Sequence, residues 1–148
     1  MAFRFTLAAV LRVRDSLARR EEARLQAANQ DCMQARAALD TCRAEHLAFR
    51  RQNAEALRAG GTGAELEFVT ACQRNFARRE EALEQRRAEL EAVRKEREAA
   101  YLRARRDLMA IETLRDEQRA AYEAEQARRA QAAQDELFAM RARHGRSA

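Results

Sequence analysis

Proline is absent from this chain of 148 residues, and so is tryptophan. Without proline, no position forfeits a backbone donor and nothing forces a helix to stop. Glycine is nearly as scarce. Gly60, Gly61 and Gly63 stand together, and the fourth, Gly145, lies near the end. A helix interior loses about 1 kcal/mol per glycine relative to alanine, and glycine is the main residue that ends a helix in the left-handed conformation. The text therefore permits one sharp break, at residues 59–64. Aromatic residues make up 5%, and the 47% hydrophobic share leans on alanine, which buries little area. A multilayered core is poorly supplied. The longest early apolar run, Phe5 to Leu11, sits between Arg4 and Arg12, whereas a bilayer span needs about 20 residues. No signal or membrane segment is expected, and the reading places the chain in the cytosol. The three cysteines are odd in number and match no metal-ligand spacing, which agrees with a reducing compartment.

Chemistry is also missing. The only histidines are His46 and His144 and the only serines Ser16 and Ser147, so no nucleophile–base–acid set can be assembled. Carboxylates are plentiful, but they read as members of solvated helical faces, where the perturbed carboxyl of a catalytic site is not expected. Gly60-Gly61-Thr62-Gly63 is followed by no Gly-Lys pair and preceded by no strand, so it is not a phosphate loop. The expectation is a protein that is not an enzyme, with no cofactor, no metal and no catalytic residue. His46 reads as a partly buried histidine of a helical seam. Cys32, Cys42 and Cys72 read as small hydrophobes of the same seam, unpaired with one another.

What is present is helix. Charged residues are 36%, and abundant Ala, Arg, Glu and Leu without proline fit a long helix or coiled coil. Disorder is the competing reading, ranked second because the residues are strong helix formers and the apolar ones are periodic. Thr62 followed by Glu65 reads as a capping box that starts a new helix. The predicted fold is all-α, a single coiled-coil domain over 1–148. It comprises helix 1 at about 4–58, a tip loop at 59–64 and helix 2 at about 65–143, paired as an antiparallel hairpin.

A 3-4 spacing supports the pairing. In the first arm it runs from Leu7 and Leu11 through Arg14, Ala18, Glu21, Leu25, Ala28, Cys32, Ala35, Leu39, Cys42, His46, Phe49 and Asn53 to Ala56. In the second it runs from Glu65 through Val69, Cys72, Phe76, Arg79, Leu83, Arg86, Leu90, Val93, Arg97, Ala100, Ala104 and Asp107 to Ile111 and Leu114. Tyr101 and Leu108 fall one step off this track, which predicts a register slip near residue 100. Folding at residue 61 or 62 sets Phe49 against Phe76 and Leu39 against Leu83. The arms are unequal, about 80 Å and about 120 Å at 1.5 Å per residue, so 20–25 residues of helix 2 are expected to overhang. Tyr122, Leu137 and Phe138 then either form a docking surface or belong to a frayed end that packs on Phe3 and Phe5.

The net charge is +5. Residues 1–58 hold 11 basic and 7 acidic side chains, and residues 59–148 hold 18 and 17. Neither arm carries the one-signed basic stripe of a nucleic-acid footprint, so no specific nucleic acid is expected as a partner. Clusters such as Arg19-Arg20, Arg50-Arg51 and Arg78-Arg79 have acids beside them and read as solvated faces.

The opening Phe3-Arg4-Phe5-Thr6-Leu7-Ala8-Ala9-Val10-Leu11-Arg12-Val13-Arg14 resembles the start of the flagellar export protein FliJ family. The glycine break in the middle third, with Phe68 and Phe76 soon after, strengthens the likeness. Ile111-Glu112-Thr113-Leu114 and the closing Asp135-Glu136-Leu137 run are similar to the family's later motifs. The resemblance implies a cytoplasmic, non-enzymatic component of the flagellar type III protein export apparatus, needed for motility and peripherally associated with the inner membrane through its partners. It implies an antiparallel coiled coil like the central stalk of rotary ATPases, linking the export ATPase hexamer to the cytosolic domain of the export-gate membrane protein and escorting export chaperones. Carried over by position, the gate-facing patch near the tip comprises Ala38, Cys42, Glu45, Phe49, Cys72 and Phe76. The end that meets the ATPase comprises Leu7, Leu11, Tyr122, Leu137 and Phe138. The alternatives are a homodimeric structural coiled coil, the equivalent stalk protein of a virulence-type injectisome, and an arginine-mediated binder of nucleic acid or acidic surfaces.

Overall fold

The computed structural model describes residues 3–144, and those residues are helical except at the N-terminal end and one break. Helix α1 runs Ala8–Arg58 and α2 runs Gly63–His144, with no strand among the described residues. Helix α1 begins later than about residue 4. Phe3, Arg4 and Phe5 supply no capping side chain, and the first helical turns are set by Ala8 N–H donating to the Phe5 carbonyl at 3.3 Å and Leu11 N–H to that of Leu7 at 2.9 Å. The break lies where glycine permits it. Ala59 N–H reaches the Glu55 carbonyl at 3.2 Å and Gly60 N–H that of Leu57 at 3.3 Å, the latter a tighter last turn. Gly60 then takes φ +100°, a value that side-chain-bearing residues rarely adopt. Across the break, Thr62 N–H donates to Glu65 Oε2 at 2.6 Å and Glu65 N–H to Thr62 Oγ1 at 3.3 Å. This is the reciprocal capping box that satisfies two free amides at the start of α2.

The chain forms two compact units, one of Arg19–Leu102 and one of Met1–Ala18 with Arg103–Ala148. In the first, segments of α1 and α2 pair in opposite directions. Arg43 meets Glu84, His46 meets Glu80, Glu45 meets Arg79 and Phe49 meets Phe76, so partner numbers fall on one helix as they rise on the other. Ala28, Leu39, Cys42 and Val69 are buried there, Cys42 completely. In the second unit Ala18 and Leu108 are buried, Arg14 donates to Asp107 at 2.8 Å, and the rings of Phe3 and Tyr122 lie 5.7 Å apart.

The buried track of α1 follows the expected spacing from Leu11 to Asn53, every position at least partly covered, and then steps to Leu57 instead of Ala56. In α2 the track differs. After Val69, Cys72 and Phe76 it passes through Glu80, Leu83, Arg87, Leu90 and Arg94, and continues in phase through Tyr101, Ala104, Leu108 and Ile111. Arg79, Arg86, Val93, Arg97 and Asp107 are exposed instead. The slip therefore lies not near residue 100 but at Cys72–Phe76–Glu80. Two four-residue steps in succession unwind a coil locally. The track of α1 makes the same double step at Phe49–Asn53–Leu57, and Phe49 lies against Phe76, so the two irregularities meet. Glu80, Arg87 and Arg94 keep their charges on the seam because long stems cover apolar surface while the heads find partners. Arg87 donates to Glu84 at 2.8 Å, and Arg94 to Glu91 at 2.8 Å and to Glu98 at 3.1 Å. The buried Arg87 Nε has no hydrogen-bond partner, a small cost of placing arginine on the seam.

Candidate protein-interaction surfaces

In the Arg19–Leu102 unit the candidate patch is built around Phe76. Its ring lies flat against His46, with centroids 5.0 Å apart and planes 4° apart, and tilts against Phe49 at 5.5 Å. His46 Nδ1 is bonded to Glu80 Oε1, which fixes the imidazole over the ring. Beside this stack Cys72, Asn75, Phe76 and Arg79 line a hollow of about 140 Å³. Arg79 closes its edge by donating to Glu45 at 3.3 Å. Phe49, Cys72 and Phe76 are half-buried and Glu45 is exposed. The structure brings these four together.

The other two residues of the patch are placed differently. Ala38 is exposed and lines a separate shallow cleft of about 350 Å³ with Leu83 and Arg86. Cys42 is wholly buried and reaches a surface only through what it supports. Asn75, Arg79 and Glu80 join this site without a signal in the residue pattern. The spacing puts Arg79 on the seam, and in the structure that place belongs to Glu80, one residue on.

A second set of groups lies further along the same unit. Arg94 grips Glu91 with Nε and Nη2, at 3.1 and 2.8 Å. That bond, ahead of the other nearby charges, holds the Glu91 carboxyl below the usual range. Burial pushes the Cys32 thiol up, and the adjacent Glu91 carboxylate adds to the shift. All three cysteines are free thiols. A raised thiol is a weaker nucleophile at neutral pH, and Cys32 is accordingly a packing residue. Among the described residues no group of three or more His, Cys, Asp or Glu side chains is placed to hold a metal.

In the other unit Leu7, Leu11 and Tyr122 are partly buried, and the ring that meets Tyr122 belongs to Phe3. Leu137 and Phe138 join none of them. Every residue from Gln126 to His144 is exposed, with Leu137 at 56%, Phe138 at 67% and Met140 at 60% of their full area. The reading in which this cluster packs on Phe3 and Phe5 is not what the structure holds. Val13 at 58% and Met109 at 52% add further exposed apolar area.

The family model described as "Flagellar FliJ protein" matches residues 3–147. The chain belongs to the FliJ family. No curated protein and no solved structure matches it. Membership makes the chain a component of flagellar type III export. It also gives a setting to surfaces that carry aromatic and aliphatic side chains. No helix of the described residues is long and apolar enough to cross a membrane, so this FliJ-family chain has no helical span of its own among them.

Proposed function

We propose that the chain is a non-enzymatic stalk and adaptor, which joins the export ATPase hexamer to the export gate and escorts empty export chaperones. Residues 3–18 and 103–144 serve the ATPase, through Leu7, Leu11, Tyr122, Leu137 and Phe138. The last turns of α2 overhang the pairing, which leaves Leu137 and Phe138 for the hexamer. The gate protein's cytosolic domain meets Phe49, Cys72, Phe76 and Glu45, with Ala38 at the margin and Cys42 as support from within. Peripheral association with the membrane follows through these partners. The family match over residues 3–147 carries this reading. The exposure of Leu137, Phe138 and Met140 on a helix that gains nothing from leaving them in water supports it.

The test is reconstitution with the cognate ATPase. The native chain is expected to raise ATP turnover, and Leu137→Asp with Phe138→Asp to abolish the increase while helicity is retained. A variant that stimulates like the native chain would remove this surface from the adaptor reading. A native chain that neither binds nor stimulates would remove the reading itself.

A further inference from the structure

The Arg19–Leu102 unit has a second long edge, on the other side of the seam from Cys72 and Arg79. The ion pairs identify the two sides. Glu45–Arg79 bridges one, and Arg43–Glu84, at 3.0 Å, bridges the other. From Arg43 the positions Leu47, Arg50 and Ala54 follow at 3-4 spacing, so they share that second edge. There a cleft of about 410 Å³ opens between the helices, lined by Leu47, Ala54, Leu57 and Val69 together with Arg50 and Arg51. Val69 is buried and Leu57 half-buried, while Leu47 remains 48% exposed. Both arginines are exposed, and neither side chain has an ion pair or hydrogen bond among the described residues. By contrast, Arg43, Arg79, Arg87 and Arg94 all bond to glutamates.

We infer that this cleft is a docking groove for an acidic amphipathic helix of a partner protein, with leucine-like side chains entering between Leu47, Leu57 and Val69 and carboxylates meeting Arg50 and Arg51. The double four-residue step of both helices lies at this level and supplies the opening. An apolar trough wants an apolar ridge, and two unpaired guanidiniums beside it want carboxylates. A second copy of this chain fits poorly. A two-fold contact places the same patch against itself, and so brings Arg50 and Arg51 against their equivalents. A flat bilayer would meet the arginines but leave the trough unfilled. The groove is distinct from the Phe49–Phe76 hollow, and its test is independent of the adaptor reading.

The probes are two synthetic helical peptides with the same leucines at i, i+3 and i+7, one flanked by glutamates and the other by lysines. Titrated into the full isotope-labelled chain, the glutamate peptide is expected to shift the amides of residues 47–57 and 66–73 saturably. It should bind at least about tenfold more tightly than the lysine peptide and weaken as salt is added. Arg50→Glu with Arg51→Glu is expected to remove at least about fivefold of that affinity, and Arg36→Glu, exposed and elsewhere on α1, to leave it unchanged. Leu47→Asp should weaken it as well, with far-UV circular dichroism unaltered because Leu47 is already half in water. Four results would each overturn the proposal: equal binding of both peptides, no saturable shift, shifts mapping outside the groove, and the same residues responding to anionic vesicles in place of the peptide. Self-association that Leu47→Asp abolishes would assign the groove to a second copy and overturn it too.

Discussion

At the scale of single residues, the break between the helices is a division of labour among three glycines. Gly60 has φ +100°, where a side chain costs roughly 1–2 kcal/mol. A Cβ on Gly61 would lie 3.1 Å from Glu65 Oε2 and from Leu57 Cδ2, so it would press on the capping box. A Cβ on Gly63 would meet nothing within 4 Å, and Gly63 is already in the first turn of α2. Gly63→Ala is therefore expected to stabilise the chain by about 0.5–1 kcal/mol, largely through the unfolded state. Gly60→Ala should destabilise it by about 1–2 kcal/mol, and Thr62→Ala by about 1 kcal/mol through loss of the cap. Urea midpoints of the three variants check the order, and a Gly60→Ala chain as stable as Gly63→Ala would refute the turn geometry. The place of the break was legible from glycine scarcity and the Thr62–Glu65 spacing. Which glycine takes the left-handed conformation was not, because all three tolerate it equally and only the closing hydrogen bonds choose.

At the scale of helices, legibility differed between the two. The α1 seam could be read to within one position because its members are mostly alanine, leucine, cysteine and phenylalanine. The α2 seam misled at Arg79, Arg86, Val93, Arg97 and Asp107, which are exposed, because Glu80, Arg87 and Arg94 look like surface residues in sequence and act as seam residues in the fold. Phe76, Leu83 and Leu90 lie on the half that the slip leaves in place, so they masked it, and Tyr101 and Leu108 were its only sign. Of the candidate patch, the meeting of Phe49 with Phe76 was legible from simple pairing. The clamp of Glu80 on His46 was not, since it depends on that register, and the seam position of Cys42 did not show that its burial is complete. Beyond the seam, local pairs hold α2. Arg129 donates to Glu125 at 2.9 Å, Arg119 to Glu123 at 2.9 Å, and the Gln131 amide to Asp135 at 3.0 Å. The bond from Arg129 chiefly keeps the Glu125 carboxyl below its usual range. A carboxyl depressed in the folded helix stabilises it above the ordinary glutamate value of about 4.3, and that contribution is lost as pH falls through the lowered value. Over this acid range the protection factors of amides at residues 119–135, taken relative to the intrinsic exchange rate at each pH, are expected to fall, with only a small loss of helicity at 222 nm because the pair is exposed. Glu125→Gln should flatten the exchange profile there and lower protection at neutral pH. An unchanged acid response in that variant would assign the helicity to propensity alone.

At the scale of the whole chain, two helices sharing a narrow seam give each side chain contacts only with near neighbours along it, so stability is a sum of local terms. Each compact unit has its own buried residues, Leu39 and Cys42 in one and Ala18 and Leu108 in the other. Both helices nevertheless continue from unit to unit without a break. Truncating Leu39 or Leu108 to alanine removes a nearly fully buried leucine, 2% exposed in each case, at a cost of about 2–4 kcal/mol. Leu39→Ala is expected to quicken amide exchange most at residues 30–50 and 75–92, and Leu108→Ala most at 8–18 and 103–122, each fading along the helices rather than spreading evenly. Leu39→Asp should act in the same place and more strongly, because it buries a charge without a partner. Native-state exchange read residue by residue makes the comparison. If both alanine variants lowered protection uniformly over the described residues, the chain would unfold as one cooperative body. If neither changed protection near its own site, the seam assigned to Leu39 and Leu108 would be wrong.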